Sequence, residues 1–155
     1  KSATAKGDIT IEDTVSYKNL TVGKEYTVKG ILMDKATCKP FLVNGKEVTS
    51  EVTFTAEKKD GEITVRFTFD GSAVTKQTDI VVFETLYRDG VEIAVHADIE
   101  DGGQTVTLTP PAPPVPQTGD NSNLGFWIGL GAVALGGIVA VVIIRVKSRK
   151  DEDDE

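Results

Sequence analysis

The chain of 155 residues contains one cysteine, one histidine and one tryptophan, and aromatic residues make up 6% of it. A single cysteine excludes a disulfide framework, and a single histidine with it excludes a zinc site built from several Cys and His ligands. The formal net charge is −7 at pH 7, and residues 1–114 show no basic stripe. Nucleic acid is therefore not an expected partner, because phosphate contacts need clustered cations. The sequence predicts no metal site and no cofactor.

The sequence begins at Lys1 and shows neither an initiator methionine nor a charged-then-apolar secretion signal. An apolar segment near the C-terminus does not by itself explain how an acidic domain is exported. We therefore expect this sequence to be the C-terminal piece of a longer protein.

Residues 7–109 alternate apolar and polar side chains with a period of two, in short runs separated by turn dipeptides such as Asn44-Gly45 and Asp89-Gly90. No window before residue 124 sustains a helical period. About seven strands at this spacing predict an all-β domain, an antiparallel β-sandwich of immunoglobulin-like type, although the Cys…Trp…Cys hallmark is missing. Residues 1–6 are expected to be a linker from the preceding region.

A proline-rich segment at 110–114 predicts a stiff spacer, because proline removes the backbone donors that a sheet needs. Residues 124–144 then form a run of 21 residues without a charge. As a helix this run would be about 31 Å long, which matches a hydrocarbon core of about 30 Å. Arg145 and Lys147 begin a basic cluster directly after it, so the sequence predicts a transmembrane helix with residues 145–155 in the cytoplasm.

Three polar residues fall in phase with the apolar side chains of their strands and are expected to face the core: Asp34, Glu84 and Gln104. Burying such groups without partners costs roughly 1–3 kcal/mol for an amide and more for a charge. The one histidine, His96, lies eight residues before Gln104. These four residues are the candidate site.

Several motifs in this domain resemble a VaFE repeat, also called the Thr–Gln ester-bond domain, of Gram-positive surface adhesins. The resemblance covers nearly all of residues 7–109, in order. The motifs that carry it are Asp13-Thr14-Val15, Tyr17-Lys18-Asn19-Leu20, Gly23-Lys24-Glu25-Tyr26, Leu32-Met33-Asp34, Val82-Phe83-Glu84, His96-Ala97-Asp98-Ile99 and Gln104-Thr105.

The resemblance implies an intramolecular ester between Thr14 and Gln104, formed once per chain without turnover, so the domain is not expected to be an enzyme. His96 would be the general base that activates the Thr14 hydroxyl, and Gln104 would lose ammonia. Glu84 and Asp34 match the acidic helpers, one of which would stay protonated and polarise the Gln104 carbonyl.

Two assignments stay open at this point. Asp13 and Asp98 are alternatives to Asp34 as the carboxylate that assists His96. Strict alternation also points Thr14 away from the core, so we expect a β-bulge near Asp13 to re-aim it.

The segment Val115-Pro116-Gln117-Thr118-Gly119, followed by an apolar run and a basic cluster, resembles a cell-wall sorting signal of Gram-positive bacteria, with Val115 in place of the usual leucine. The resemblance implies cleavage by a membrane sortase between Thr118 and Gly119. The acceptor of Thr118 would be an amine of a peptidoglycan precursor or of a pilin. The expected location is the cell wall or cell surface, with membrane anchoring before sorting.

Three functions compete at this stage. The first is a structural stalk module of a wall-anchored adhesin or pilin-like protein, whose distal host ligand the sequence does not identify. The second is an immunoglobulin-like module that binds a host ligand without a cross-link, although no loop is long or aromatic-rich. The third is a hydrolase using Thr14 and His96, which is disfavoured because Gln104 would be consumed first.

Overall fold

The computed structural model describes residues 1–112 with their side chains, and the backbone of residues 133–135 and 138–146. The prediction of an all-β domain is confirmed. Among the described residues, a single 3-10 turn, Gly71–Ala73, follows one of the long strands. The strands are β1 (Ser2–Thr4), β2 (Asp8–Tyr17), β3 (Glu25–Asp34), β4 (Lys39–Pro40), β5 (Leu42–Val43), β6 (Lys46–Glu47), β7 (Thr49–Thr55), β8 (Gly61–Asp70), β9 (Thr78–Arg88), β10 (Val91–His96), β11 (Thr105–Thr109), β12 (Val133–Leu135) and β13 (Ile138–Val146).

The strands form two main sheets and one small hairpin. The first sheet has seven strands in the order β1-β11-β9-β3-β4, with β10 also paired to β9 and β7 also paired to β3. The second sheet has the order β12-β13-β2-β8, and β5 pairs with β6 alone. Because β1 runs parallel to β11 while β11 runs antiparallel to β9, the first sheet is mixed. The prediction of a wholly antiparallel sandwich is wrong at β1.

The segment 1–6, expected to be a linker, contains β1 and belongs to the domain. The Thr107 amide donates to the Lys1 carbonyl at 2.8 Å, and the Ala5 amide donates to the Thr109 carbonyl at 2.7 Å. Ala3 and Ala5 are buried. This segment therefore covers one edge of β11, the strand that follows Gln104.

The core lies between the two main sheets and holds them together. Tyr17 of β2 stacks on Phe54 of β7 with ring centroids 5.2 Å apart, and Phe67 of β8 fills the space over Gly30 of β3. A Cβ at position 30 would collide with the Phe67 ring, so the sheets can approach here only because residue 30 has no side chain. The fully buried apolar side chains of this core include Ile9, Ile11, Leu32, Val65, Phe67, Ile80, Val82, Val106 and Leu108.

Two of the predicted turn dipeptides adopt the left-handed backbone that hairpins require. Asn44 and Gly45, between β5 and β6, have φ of 52° and 77°, and Asp89 and Gly90, between β9 and β10, have φ of 50° and 76°. Both residues of each pair tolerate positive φ, as a two-residue turn of this kind demands. The second turn folds β10 back along β9 and so brings His96 opposite Glu84.

The C-terminal apolar run is described only at β12 and β13, and the transmembrane helix over 124–144 stays a prediction. β12 lies within this run and β13 extends two residues beyond it, and β13 pairs antiparallel with β2 from Ile138↔Tyr17 to Val146↔Ile9. In the described part of the chain no helix is long and apolar enough to cross a membrane. The remainder of the run, the spacer beyond residue 112 and the motif 115–119 lie outside the described residues.

Candidate cross-linking site

Gln104 is buried directly before β11, with an exposed fraction of 1%. Its backbone amide donates to the Asp101 carbonyl at 3.2 Å, but neither Oε1 nor Nε2 of its side chain has a hydrogen-bond partner. A buried carboxamide without partners costs free energy, so most buried amides in folded proteins are paired. The prediction that Gln104 faces the core is confirmed, and the unpaired amide marks it as a site.

Glu84 is buried next to this amide, in the centre of the first sheet. It lies on β9 between Gly30 of β3 on one side and His96 of β10 on the other, and its exposed fraction is 1%. Burial and the Asp13 carboxyl raise the pKa of Glu84, and the neighbouring Gln104 carboxamide only opposes that rise. In the folded chain the Glu84 and Gln104 side chains do not meet at hydrogen-bond geometry. The predicted inward orientation of Glu84 is confirmed.

Asp13 approaches Glu84 from the second sheet. It is fully buried on β2, in phase with Ile11 and Val15, and neither of its carboxylate oxygens has a donor. Sequence reasoning considered Asp13 only as an alternative partner of His96. Its phase with two buried apolar residues is the signal that places it inside the core.

A shared proton accounts for this carboxyl pair. Two ionised carboxylates cannot donate a hydrogen bond to each other, and their like charges repel in a buried site. One of the two carboxyl groups is therefore expected to stay protonated. Burial, together with the adjoining Asp13 carboxyl, raises the pKa of Glu84 to about 11. Burial also raises the pKa of Asp13, opposed by a hydrogen bond with Glu84 and by the charges of Lys1 and His96. At neutral pH, Glu84 therefore carries the proton and can donate a hydrogen bond.

His96 reaches the core because of a β-bulge in β10. The register against β9 shifts between Glu92 and Ala94, so that His96 lies opposite Glu84 and is 4% exposed. The apolar residues Val91, Ile93 and Val95 of the same strand are exposed instead, although alternation alone predicts that they face the core. A bulge of this kind re-aims side chains next to functional sites.

The imidazole is held by Asp101, which sequence reasoning did not identify. His96 Nε2 lies 3.2 Å from Asp101 Oδ2. If Nε2 carries the proton, as the carboxylate acceptor requires, Nδ1 is the basic nitrogen. Asp101 also accepts from the Gly103 amide at 2.7 Å. The pattern Asp101-Gly102-Gly103 before the last strand is the sequence signal for such a turn.

Lys1 brings a positive charge to the edge of the same cluster. Its Nζ donates to the Gly103 carbonyl at 2.8 Å, one residue before Gln104. Partial burial lowers the pKa of the Lys1 ammonium to about 8, against the opposing attraction of Asp13 and Asp101. Nothing in the local sequence pattern distinguishes this lysine, since only the pairing of β1 with β11 brings it here.

Thr14 lies on the opposite face of β2 from Asp13. The register between β2 and β8 is continuous from Asp8↔Asp70 to Tyr17↔Gly61, so the bulge expected near Asp13 is not formed. Successive residues of a regular strand point to opposite faces, and Thr14 is half-buried while Asp13 and Val15 are buried. The structure therefore does not bring the Thr14 hydroxyl into the cluster around Gln104.

The two other candidate aspartates serve local turns. Asp34 ends β3, where its Oδ1 accepts from the amides of Ala36 and Thr37 at 2.9 and 3.1 Å. It pairs with Ile80, four residues along β9 from Glu84, and stays half-buried. Asp98 is exposed and accepts from the Glu100 amide at 2.9 Å. Neither carboxylate joins the buried cluster, whose acidic members are Asp13, Glu84 and Asp101.

Comparison with solved structures shows a similarity in fold. No curated protein matches the sequence. Two crystal forms, P1 and P21, of a bacterial adhesin from Mobiluncus mulieris, described as containing intramolecular disulfide, isopeptide and ester bond cross-links, are similar in fold. Both are 20% identical in sequence, with TM-scores of 0.58 and 0.56, over 72% of this chain and 53% of the adhesin chain. The chain thus spans about half the length of that adhesin structure.

A family match covers most of the chain. Residues 1–108 match the family described as T-Q ester bond containing domain. The matched range includes Gln104 and the cluster residues Lys1, Asp13, Glu84, His96 and Asp101, and it takes in β1, which the periodicity of the sequence left outside the domain. The chain belongs to the family of T-Q ester bond containing domains.

Proposed function

We propose that this chain is a load-bearing stalk module of a wall-anchored bacterial surface adhesin or pilin-like protein, stabilised by an intramolecular ester at Gln104. The observation that carries the proposal is the fully buried, unpartnered Gln104 carboxamide beside the Glu84–Asp13 carboxyl pair. The similarity in fold to an adhesin that contains ester cross-links supports it. We also propose that the sandwich is of immunoglobulin-like type, which is supported by two main sheets packed around a single core.

The proposed reaction replaces an amide by an ester and releases ammonia. His96 accepts the proton of a hydroxyl group, and the resulting oxygen nucleophile attacks Cδ of Gln104. The protonated Glu84 donates a hydrogen bond to the developing oxyanion at Oε1. The proton held by His96 then passes to Nε2 as the C–N bond breaks, so that ammonia leaves. The acid and the base are both regenerated, and the product is one ester per chain.

The hydroxyl is assigned to Thr14 through the family motif Asp13-Thr14-Val15. In the uncross-linked fold Thr14 faces away from Gln104, so the reaction needs a shift of β2 by one residue at this point. Such a shift exchanges the faces of Asp13 and Thr14, because the side-chain period of a strand is two. The family motif supports Thr14 as one half of the cross-link, and the buried cluster supports Gln104 as the other.

The benefit of the bond is mechanical and thermodynamic. A link from residue 14 to residue 104 closes a loop of about 90 residues, which on the loop-entropy model derived from disulfides stabilises by roughly 4–5 kcal/mol. Because it joins the second strand to the segment before the last strand of the domain, tension along the chain passes through a covalent bond. A stalk without a disulfide gains most from such a bond.

Anchoring of the module is proposed from the C-terminal sequence alone. A sortase would cleave between Thr118 and Gly119 of the motif Val115-Pro116-Gln117-Thr118-Gly119 and transfer Thr118 to a peptidoglycan or pilin amine. The uncharged run 124–144 and the basic residues after it would hold the precursor in the membrane, with the tail 145–155 in the cytoplasm. Pro116 keeps the motif extended, and Gly119 permits close approach of an enzyme to the backbone.

Intact mass spectrometry of the full chain, purified in detergent, tests the central step. Loss of ammonia lowers the mass by about 17 Da. Gln104→Ala should show the full mass calculated for its sequence, while the control Gln117→Ala, outside the domain, should keep the deficit. Hydroxylamine should open the bond, since it cleaves esters and spares amides. A wild-type chain of full mass contradicts the proposal.

A further inference from the structure

Lys1 directly precedes β1 and faces the inside of the domain. Ala3 and Ala5 are buried, whereas Ser2 and Thr4 are exposed. Because side chains alternate between the two faces of a strand, Lys1 points to the same side as Ala3 and Ala5, and it is itself half-buried. The parallel pairing of β1 with β11 therefore directs a lysine side chain towards the buried cluster.

The Lys1 side chain reaches the residue that precedes Gln104. The Lys1 carbonyl accepts from the Thr107 amide at 2.8 Å, while Nζ donates to the Gly103 carbonyl at 2.8 Å. The side chain therefore runs back from the level of β11 to the peptide bond that joins Gly103 to Gln104. The buried Gln104 carboxamide has no hydrogen-bond partner. An amine nitrogen thus contacts the peptide group of the residue whose side chain is unpaired.

The charges that face the Lys1 amine come from several elements. Asp13 approaches from β2 and Asp101 from the loop between β10 and β11, and both attract the ammonium form. Partial burial outweighs this attraction and lowers the pKa of Lys1 to about 8. On β10, His96 contacts Asp101. Glu84 keeps its proton in this range, because its pKa is raised to about 11. Near pH 9 the cluster therefore contains an uncharged amine and a protonated carboxyl group.

Lys1 and Thr14 differ in what each needs in order to reach Gln104. Thr14 faces away from the cluster in a continuous register, so an ester requires β2 to shift by one residue. Lys1 requires only rotation about its own side-chain bonds, since its Nζ already contacts the Gly103 carbonyl. A lysine whose pKa is lowered by burial is a nucleophile, because the uncharged nitrogen has a free lone pair.

We propose that Lys1 is a second acyl acceptor for Gln104, and that the cluster can join these two residues by an amide bond. The uncharged Nζ attacks Cδ of Gln104, while the Glu84 carboxyl donates a hydrogen bond to Oε1. The new C–N bond forms as the bond from Cδ to Nε2 breaks, and one proton of Nζ leaves with Nε2 as ammonia. One amide replaces another, so no further reactant is consumed. The bond ties the start of β1 to the segment before β11.

The amide and the ester compete for one acyl donor and are separated by pH. The inference rests on the proposed function, because both bonds use the Gln104 carboxamide. At neutral pH the Lys1 amine is mostly charged and the ester to Thr14 is the product, whereas above about pH 8 the amine is mostly free. Each bond releases one ammonia, so the two products have the same mass. They differ in chemistry, since hydroxylamine cleaves an ester and spares an amide.

The Thr14→Ala chain, which lacks the ester hydroxyl, tests the amide by itself. The full chain is purified in detergent below neutral pH, then held at pH 7 and at pH 9 and sampled by intact mass. The loss of about 17 Da should be about ninefold faster at pH 9. A group with a pKa of about 8 is about 10% free at pH 7 and about 90% free at pH 9. The product should resist hydroxylamine, and peptide mapping should show Lys1 linked to Gln104.

Two arginine variants of the Thr14→Ala chain are the matched controls. Lys1→Arg keeps a cation beside the Gly103 carbonyl, but a guanidinium stays protonated at pH 9 and is not a nucleophile, so the mass should stay full. Lys6→Arg changes an exposed lysine and should leave the loss of ammonia unchanged. A loss that persists in Lys1→Arg overturns the proposal. The wild-type chain, refolded at pH 9, gives a second measurement and should contain a hydroxylamine-resistant fraction that is absent at pH 7.

The outcomes separate the two proposals. If Thr14→Ala keeps its full mass at pH 9 and the wild type forms no resistant link, Lys1 is overturned as an acceptor, and an ester found in the wild type at pH 7 stands. If the wild type has no ester at pH 7 while a mapped amide from Lys1 to Gln104 forms at pH 9, the ester is overturned and the amide stands. Full mass in both chains at both pH values overturns both.

Discussion

Asp13 and Glu84 lie on opposite sheets and meet in the core as a carboxyl pair that holds one proton between them. Removing two carboxyl groups from water costs free energy unless they are neutralised or hydrogen-bonded, so this pair destabilises the uncross-linked fold. It becomes useful when Glu84 acts as a hydrogen-bond donor to a carbonyl that gains negative charge. The pair is therefore best explained by chemistry at Gln104.

The first prediction concerns the nucleophile. Thr14→Ala should restore the full mass of the chain, because the ester assignment gives Thr14 the attacking hydroxyl. Thr10→Ala is the matched control, since Thr10 lies on the same face of β2 and is hydrogen-bonded to Thr68 across the pair of strands. Intact mass spectrometry of both variants tests this, and Thr10→Ala should keep the mass deficit of the wild type. A deficit that persists in Thr14→Ala would assign the hydroxyl to another residue and leave Gln104 as the acyl donor.

The second prediction concerns the acid. Glu84→Gln should block the loss of ammonia, because an amide donor polarises the carbonyl less than a carboxylic acid does. His96→Ala should block it as well, since the hydroxyl would lose its base. The exposed acid Glu92, on the strand that carries His96, provides the control, and Glu92→Gln should keep the deficit. An unchanged mass deficit in Glu84→Gln would show that the acid is dispensable.

The third prediction concerns the pH dependence of stability. The pKa of Glu84 is raised from an ordinary value to about 11 by folding, so above an unfolded value of about 4.5 the folded chain keeps a proton that the unfolded chain has lost. This contribution to stability is fully present below pH 4.5 and is lost as pH rises towards the folded value. Each unit of pH removes up to about 1.4 kcal/mol.

The measurement uses the Gln104→Ala chain, in which no ester masks the effect. Its free energy of unfolding in urea should fall between pH 5 and 7.5, and addition of Glu84→Gln should flatten that slope. This window avoids the Lys1 ammonium, whose lowered pKa of about 8 makes it release its proton above this range. A slope that is equal in both chains would contradict a protonated Glu84.

The fourth prediction concerns the close approach of the two sheets. Gly30→Ala should lower the melting temperature, because the new methyl group on the residue paired with Glu84 would overlap the Phe67 ring. Overpacking of this kind typically costs about 1–3 kcal/mol. Gly102→Ala is the control, as a Cβ there meets nothing within 4 Å. Thermal unfolding of both variants in the Gln104→Ala chain should separate them, and equal melting temperatures would mean that the sheets can move apart.

The fifth prediction concerns sorting. A purified sortase supplied with an amine acceptor should release the segment that begins at Gly119 from the full chain. Thr118→Ala should prevent release, and Val115→Leu, which restores the usual first residue of such signals, should accelerate it. The products are identified by mass. Release that continues in Thr118→Ala would place the cleavage elsewhere.

Local periodicity predicted much of the fold and half of the site. Alternation within single strands placed Glu84 and Gln104 in the core, and the turn dipeptide Asp89-Gly90 predicted the hairpin that brings β10 against β9. The same rule, applied to Asp13 instead of Thr14, would have found the second carboxylate. Alternation did not predict β1, because three residues are too few to show a period and β11, with which they pair, is remote in sequence.

The sequence by itself determined which side chains of a regular strand face inwards, because that parity depends only on the count of residues along the strand. The tertiary structure decided what those side chains meet. The bulge between Glu92 and Ala94 turns His96 inwards, and the packing of two sheets sets Asp13 against Glu84. The path of the loop between β10 and β11 gives His96 its partner Asp101. Bulges and partners between strands arise from the balance of packing and hydrogen bonding across the whole domain, which no single segment of sequence contains.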